Sequence, residues 1–300
     1  MTLLTAALIA CGGGGSTQPP AEGPTPPPPT LASASLLAGV TTDDPTVRTA
    51  DQVEALASLP QRAMARVVLD VGTPPSDYVA SIAELAKVAD IMAQPVDSSA
   101  MLRLTVAGVR TRMEQFMAAL GASVSVWEVG NEINGNWVGA DPVFKVEAMF
   151  DAARNAGRRT ALTLYYEKPA VPGFDMLPWV DVNIPPGHRL RSGLDYVFVS
   201  YYEDQNSGHR LTQAELDTIF KGLARRFPNA KLGIGEFGWG NSIPSSDSAR
   251  AELIRRYYGY RVPSVPNYVA GGFYWHFRQT MSPKTRPDWT VLNEALGAYR

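Results

Sequence analysis

The chain has 300 residues, of which 45% are hydrophobic and 19% charged, enough apolar material for one barrel-sized core or two smaller ones. Its 27 Lys and Arg against 29 Asp and Glu leave a formal charge of −2, a balance that favours no polyanionic partner, nucleic acid included.

Met1 to Ala10 form an apolar segment too short to span a bilayer as a mature helix, and the segment ends Leu8-Ile9-Ala10-Cys11. This resembles a bacterial lipoprotein signal, in which the cysteine becomes the lipidated first residue of the mature chain. Cys11 is the only cysteine, so no disulfide accounts for its thiol. The resemblance implies a signal over 1–11, a lipid anchor at Cys11 that holds the protein to a membrane, and residence in the bacterial cell envelope. Residues 12–33 read as a linker: four glycines and Ser16, then a proline-rich run through Pro29, flexible at first and stiffer later, with too little apolar surface to fold.

From residue 34 to 300 the chain reads as one domain in which strand-like and helix-like segments alternate. Short apolar runs of the kind covered on both faces fall at 36–41, 64–71, 89–94, 123–131, 160–166, 194–202, 231–236 and 270–276. Between them, apolar spacings of three and four predict helices over 49–58, 76–88, 100–120, 142–156, 212–226, 247–259 and 289–299. Thr212 with Glu215 makes a capping box, and Ser76 and Ser246 read as N-caps. Residues 166–195 break the pattern. They carry several prolines and glycines with Trp179 and His188 and show no clean amphipathic helix, so they read either as a wall of a substrate cleft or as a plain insertion. Eight β–α alternations predict a (β/α)₈ barrel, where reactive groups sit at the C-terminal ends of the strands.

Two such ends carry a glutamate. The run Trp127-Glu128-Val129-Gly130-Asn131-Glu132 breaks at Gly130 and Asn131 and leaves Glu132 at the strand's mouth. Residues 231–239, Lys-Leu-Gly-Ile-Gly-Glu-Phe-Gly-Trp, deliver Glu236 in the same way. One solvated glutamate at a strand end is ordinary, but two on separate barrel strands match what acetal cleavage needs. One carboxyl protonates a poor leaving group while a second, ionised, captures an oxocarbenium-like centre. Schiff-base chemistry lacks its group, since no lysine stands at these strand ends.

A fourth strand ending Gly-Asn-Glu and a seventh ending in Glu resemble the retaining glycoside hydrolases of clan A, over about residues 35–300. The resemblance implies that Glu132 is the general acid/base, that Glu236 is the nucleophile and that Asn131 holds a sugar 2-hydroxyl. It implies a tyrosine touching the nucleophile, with Tyr202 the preferred choice in Ser200-Tyr201-Tyr202 and Tyr201 the rival, because adjacent residues face opposite ways. Trp275, in Gly272-Phe273-Tyr274-Trp275-His276, is expected as the apolar floor under a sugar or, failing that, as core. Trp137 and Trp239, each just beyond a glutamate, are candidates for neighbouring subsites, whereas Trp127 reads as core. His276 and His209 are candidates to line the cleft, and three scattered histidines make no metal site. No cofactor is implied.

Two pieces of the clan pattern are displaced. The end of the second strand reads Leu69-Asp70-Val71 where many members have an arginine, and Arg66, earlier in the strand, is placed to pair with Glu128 inside the barrel. A histidine often found after the third strand is replaced by Ala93-Gln94-Pro95. Two functions fit: a tethered retaining glycosidase or transglycosidase acting on a β-linked polysaccharide or oligosaccharide, or a glycan-binding lipoprotein on a silent barrel. Both glutamates together with Asn131 favour the first.

Overall fold

The computed structural model describes residues 36–299. The expected signal over 1–11 with Cys11, and the linker 12–33, lie outside the described residues. Eight parallel strands close on themselves in chain order: β1 (Leu37–Thr42), β2 (Met64–Val68), β3 (Asp90–Gln94), β4 (Val126–Gly130), β5 (Arg159–Tyr165), β6 (Tyr196–Tyr201), β7 (Lys231–Phe237) and β8 (Tyr268–Tyr274), with β8 returning to pair with β1. This is a (β/α)₈ TIM barrel. The largest disagreements with the sequence reading are three residues, at the start of β4 (126 against 123) and the end of β2 (68 against 71).

The strands read as continuous apolar runs because helices cover the outer face while the inner face packs on itself. The helices are α1 (Thr49–Ala57), α2 (Val79–Val88), α3 (Ser98–Met101), α4 (Val106–Leu120), α5 (Pro142–Asn155), α6 (Met176–Asn183), α7 (Arg189–Gly193), α8 (Gln213–Arg226), α9 (Asp247–Gly259) and α10 (Pro287–Gly297). Three helix expectations change. The span 100–120 is two helices, because Thr105 starts α4 afresh by accepting a hydrogen bond from the Gly108 amide. Ser76 does not cap α2; it sits in a 3₁₀ turn, Pro75–Tyr78, that leads into the helix. Residues 166–195 hold α6 and α7, separated by Pro185, Pro186 and Gly187. Trp179 is buried on α6 and His188 caps α7, so these two residues belong to the helical layer. The Thr212–Glu215 capping box and the Ser246 cap form as expected.

Inside the barrel, side chains alternate with the period of two that strands impose, which stacks the interior in layers. The lower layer is apolar: Met64, Met92, Val126, Ala161, Tyr196, Phe198 and Phe273. Phe273 is brought there by an irregular stretch of β8 in which Ala270, Gly271, Gly272 and Phe273 all have positive φ, from 42° to 94°. Its ring occupies the space that Gly39 leaves, since a Cβ on Gly39 would stand 2.6 Å from it, and it meets Phe198 edge-on at 5.2 Å. Two residues further along their strands, Arg66, Glu128 and Thr163 make the next layer polar, and the mouth opens above it.

Candidate active site

Glu132 leaves the end of β4 with φ 47°, in the left-handed region that L-residues seldom occupy. The residue is only 8% exposed, and its carboxyl accepts hydrogen bonds from Ser98 Oγ at 2.9 Å and Ser200 Oγ at 2.6 Å. Burial, and then the charge of Glu236, push its pKa up to about 8 against the pull of the two serine hydroxyls. At neutral pH this carboxyl is therefore protonated.

Glu236, in β7, has different partners. Tyr202 donates its phenol to Oε1 at 2.7 Å, and Arg66 Nη1 donates to Oε2 at 2.6 Å. Burial raises its pKa above the ordinary carboxylate range, while the Arg66 charge and the bond from Tyr202 pull it back. Tyr202 itself is held well above the usual phenol range, by burial first and then by the charge of Glu236, so it remains a donor. The two environments thus separate the carboxyls: one among neutral hydroxyls, the other against a guanidinium.

Of the two tyrosines, Tyr202 reaches the site, while Tyr201 points outward, is fully buried in the core and gives its hydroxyl to the His209 carbonyl at 2.9 Å. Arg66 reaches Glu236 because β2 ends at Val68 rather than at 71, which places the arginine closer to the mouth than the sequence reading did. It also pairs with Glu128, as expected, through Nε to Oε2 at 2.7 Å and Nη2 to Oε1 at 3.0 Å. Opposing charges, which outweigh the effect of burial, keep its guanidinium protonated throughout.

Both glutamates open onto a cleft of about 730 Å³, lined also by Tyr202, Trp137, Trp239, Trp275 and His276. Trp137 stands edge-on to Tyr165 at 5.1 Å, and Trp275 is half-buried with Arg66 5.8 Å from its ring centre. Asn131 is 1% exposed and is not among the lining side chains: its Oδ1 accepts from Arg66 at 2.8 Å and its Nδ2 lies 3.4 Å from Asp97. Trp127 is core, fully buried. His276 lines the cleft, where burial lowers its pKa and leaves it neutral. His209 does not; it is drawn away by Glu215, 3.0 Å from its Nε2. Among the described residues no group of His, Cys, Asp and Glu is placed to hold a metal ion.

The sequence reading missed Asp97, Ser98, Tyr165, Glu167, Gln205 and the loop Gly240 to Ile243, all of which line the cleft. Asp97 and Ser98 lie within four residues of the end of β3, so a search of every strand end would have found them. A second depression of about 490 Å³ adjoins the cleft and shares Asp97, Ser99 and Trp275 with it.

No protein-family model matches the sequence, and none of the curated proteins matches it. Solved structures are similar in fold. A glucosidase from Croceicoccus marinus superposes with a TM-score of 0.53 at 14% identity, over 90% of this chain and 68% of that one. A GH30 endoxylanase from Clostridium papyrosolvens C71 does so with a TM-score of 0.52 at 13% identity, over 88% and 71%. Triosephosphate isomerase from Bartonella henselae reaches 0.50 at 11% identity, over 87% and 98%. At these identities the similarity is one of fold, a scaffold that carries unrelated chemistries.

Proposed function

We propose that this protein is a retaining glycoside hydrolase or transglycosidase of clan A acting on a β-linked glycan, with Glu132 as acid/base and Glu236 as nucleophile. The observation that carries this reading is the unlike pair on one cleft: Glu132 buried among the Ser98 and Ser200 hydroxyls, which leaves its pKa pushed up to about 8, and Glu236 held by Arg66 and Tyr202. In the first step the Glu236 carboxylate attacks the anomeric carbon while Glu132 gives its proton to the glycosidic oxygen. The C–O bond breaks, the leaving group departs as an alcohol, and a glycosyl ester remains on Glu236. Esterification removes the charge that helped to raise Glu132, which is now ionised and takes a proton from the incoming water or acceptor hydroxyl. That oxygen attacks the anomeric carbon from the opposite face and frees Glu236, with overall retention. The tryptophan faces of the cleft suit the C–H faces of pyranose rings.

The full chain should release defined oligosaccharides from at least one member of a panel of plant, fungal and bacterial β-glycans. Glu132→Ala should keep glycosylation by a dinitrophenyl glycoside, and added azide should then yield the β-glycosyl azide. Glu236→Ala rescued by azide should give the opposite anomer. Reversed products would exchange the two roles, and glycan binding without cleavage by wild type would leave a silent binding barrel.

The same proposal places the protein in the cell envelope, tethered through Cys11, on the strength of the apolar run that precedes this lone cysteine. Mass spectrometry of the wild-type N-terminal peptide should show a diacylglycerol adduct on Cys11, and a free thiol there would remove the tether.

A further inference from the structure

Behind the two cleft carboxyls lies a third, Glu128, which takes no part in bond cleavage. Its side chain and that of Arg66 both have 0% exposure. Burying a carboxylate with a guanidinium costs several kcal/mol per ion before their attraction is counted, and well-packed apolar residues often serve a core as well or better. Packing is therefore a weak reason for the pair.

Its geometry gives a stronger one. Glu128 occupies one edge of the guanidinium, Nε and Nη2, in a two-point contact, and Thr163 Oγ1 donates to Glu128 Oε1 at 2.5 Å and fixes the plane of that carboxylate. With that edge taken, the planar fork has Nη1 aimed at Glu236 Oε2, and Nη2 also reaches Asn131 Oδ1. The pairing also divides the positive charge. If Glu236 were the sole counter-ion of Arg66, it would hold its electrons more tightly and attack more weakly. The other groups that face or lie near Glu236 are Tyr202 after β6, Glu132 after β4, Asp97 after β3 and His276 after β8, and none of them offsets the guanidinium by a direct contact with it.

We propose that Glu128 is a positioning residue that acts through Arg66: it aims the guanidinium at Glu236 and takes up part of its charge, so that Glu236 is fixed in place yet stays basic enough to attack. The inference rests on the reading of Glu236 as the nucleophile, but its test does not need a substrate. Full-length protein carrying ¹³C in its glutamate carboxyls is titrated by NMR, with the Glu236 signal assigned by its loss in Glu236→Gln. Glu128→Gln should lower the Glu236 midpoint by about one pH unit or more, the scale set by an uncompensated charge at this range. Glu128→Asp, which keeps the charge but withdraws it by one methylene, should lower the midpoint by less. On any glycoside that wild type cleaves, kcat should fall more than KM rises.

A Glu236 midpoint equal to wild type in both variants overturns the proposal, even if both lose stability, because a purely structural Glu128 would do only that. Should Glu128→Gln fail to fold, the Asp variant decides by the same criterion. Lowered midpoints in a protein that cleaves no glycan would instead sink the nucleophile reading and leave the charge division standing.

Discussion

Two costs coincide at Glu132. Its left-handed backbone costs roughly 1–2 kcal/mol in an L-residue, and its buried carboxyl resists ionisation. Such costs persist where surrounding structure imposes them, and here Ser98, Ser200 and the Gly135 amide bond to the Glu132 side chain and carbonyl. The raised pKa fixes a sign. The folded state holds this proton up to about pH 8, whereas the unfolded chain releases it near 4.5, so the contribution of Glu132 to stability is intact below about 4.5 and lost as pH rises to about 8. Glu132→Gln, which is neutral at every pH, should therefore match wild type at pH 4 and be more stable at pH 8.5 by an amount on the order of a few kcal/mol. Thermal melts at the two pH values check this, and an equal difference at both would mean that Glu132 ionises freely in the fold. Wild-type kcat/KM should fall along an alkaline limb set by Glu132 for a glycoside whose leaving group must be protonated, and should lack that limb for a dinitrophenyl glycoside. At this scale both glutamates were legible because a broken apolar run announces a strand end. Of the partners that set them apart, Tyr202 was expected from the resemblance and the others were not. Arg66, Ser98 and Ser200 reach the site through barrel register, and an error of three residues at the end of β2 was enough to put Arg66 out of reach of Glu236.

Among the elements, β7 depends on what it omits. Gly235 precedes Glu236 and faces β6, and a Cβ there would overlap the Cβ of Phe198. Phe198 is itself wedged between Tyr196 and Phe273 and has little room to yield. Gly235→Ala should destabilise the fold by about 1–3 kcal/mol, the usual cost of overpacking, and should lower activity further by shifting Glu236. Gly259, at the end of α9, has nothing within 4 Å of its missing Cβ and serves as the control. Gly259→Ala should be neutral or stabilising by up to about 1 kcal/mol. Denaturant melts of both variants test the contrast, and a Gly235→Ala protein as stable as wild type would show that β6 and β7 can separate. The strand pattern was readable because strands sealed on both faces leave continuous apolar runs. The helices over 166–195 were not, since α6 spans 8 residues and α7 only 5, too few turns for a 3.6-residue period to show. On α6, moreover, buried Met176, Trp179 and Val180 stand beside Val182, which is 78% exposed.

For the whole molecule, a formal charge of −2 conceals where the charges lie. Asp97, Glu167 and Glu236 line the cleft, and among the described residues that line it there is no Lys or Arg. The adjoining depression adds Asp43, Asp44 and Asp70 against Arg103 and Arg278, and Arg278 is already paired with Asp43 at 2.7 Å. Asp70 bears the mark of this crowding: burial first, then Asp44, Asp43 and Asp97, raise its pKa. A lining of one sign focuses its field into the cleft and repels ligands of the same sign, the more so at low ionic strength. Composition could not reveal this, because the acids come from the ends of β1, β2, β3, β5 and β7 and gather only when the barrel closes. Neutral β-glycans should therefore bind and react in preference to polyuronates of equal length. Against a neutral oligosaccharide, a polyuronate should bind at least about tenfold more weakly at 10 mM salt, where the Debye length is about 30 Å, and the gap should narrow as salt rises to 1 M and that length falls to about 3 Å. Calorimetric titration of the Glu236→Gln variant, which on the proposed mechanism should bind without turnover and which retains the other acids, would measure both affinities across the salt series. A polyuronate that binds as tightly as its neutral counterpart at low salt would show that the acidic rim does not select the substrate.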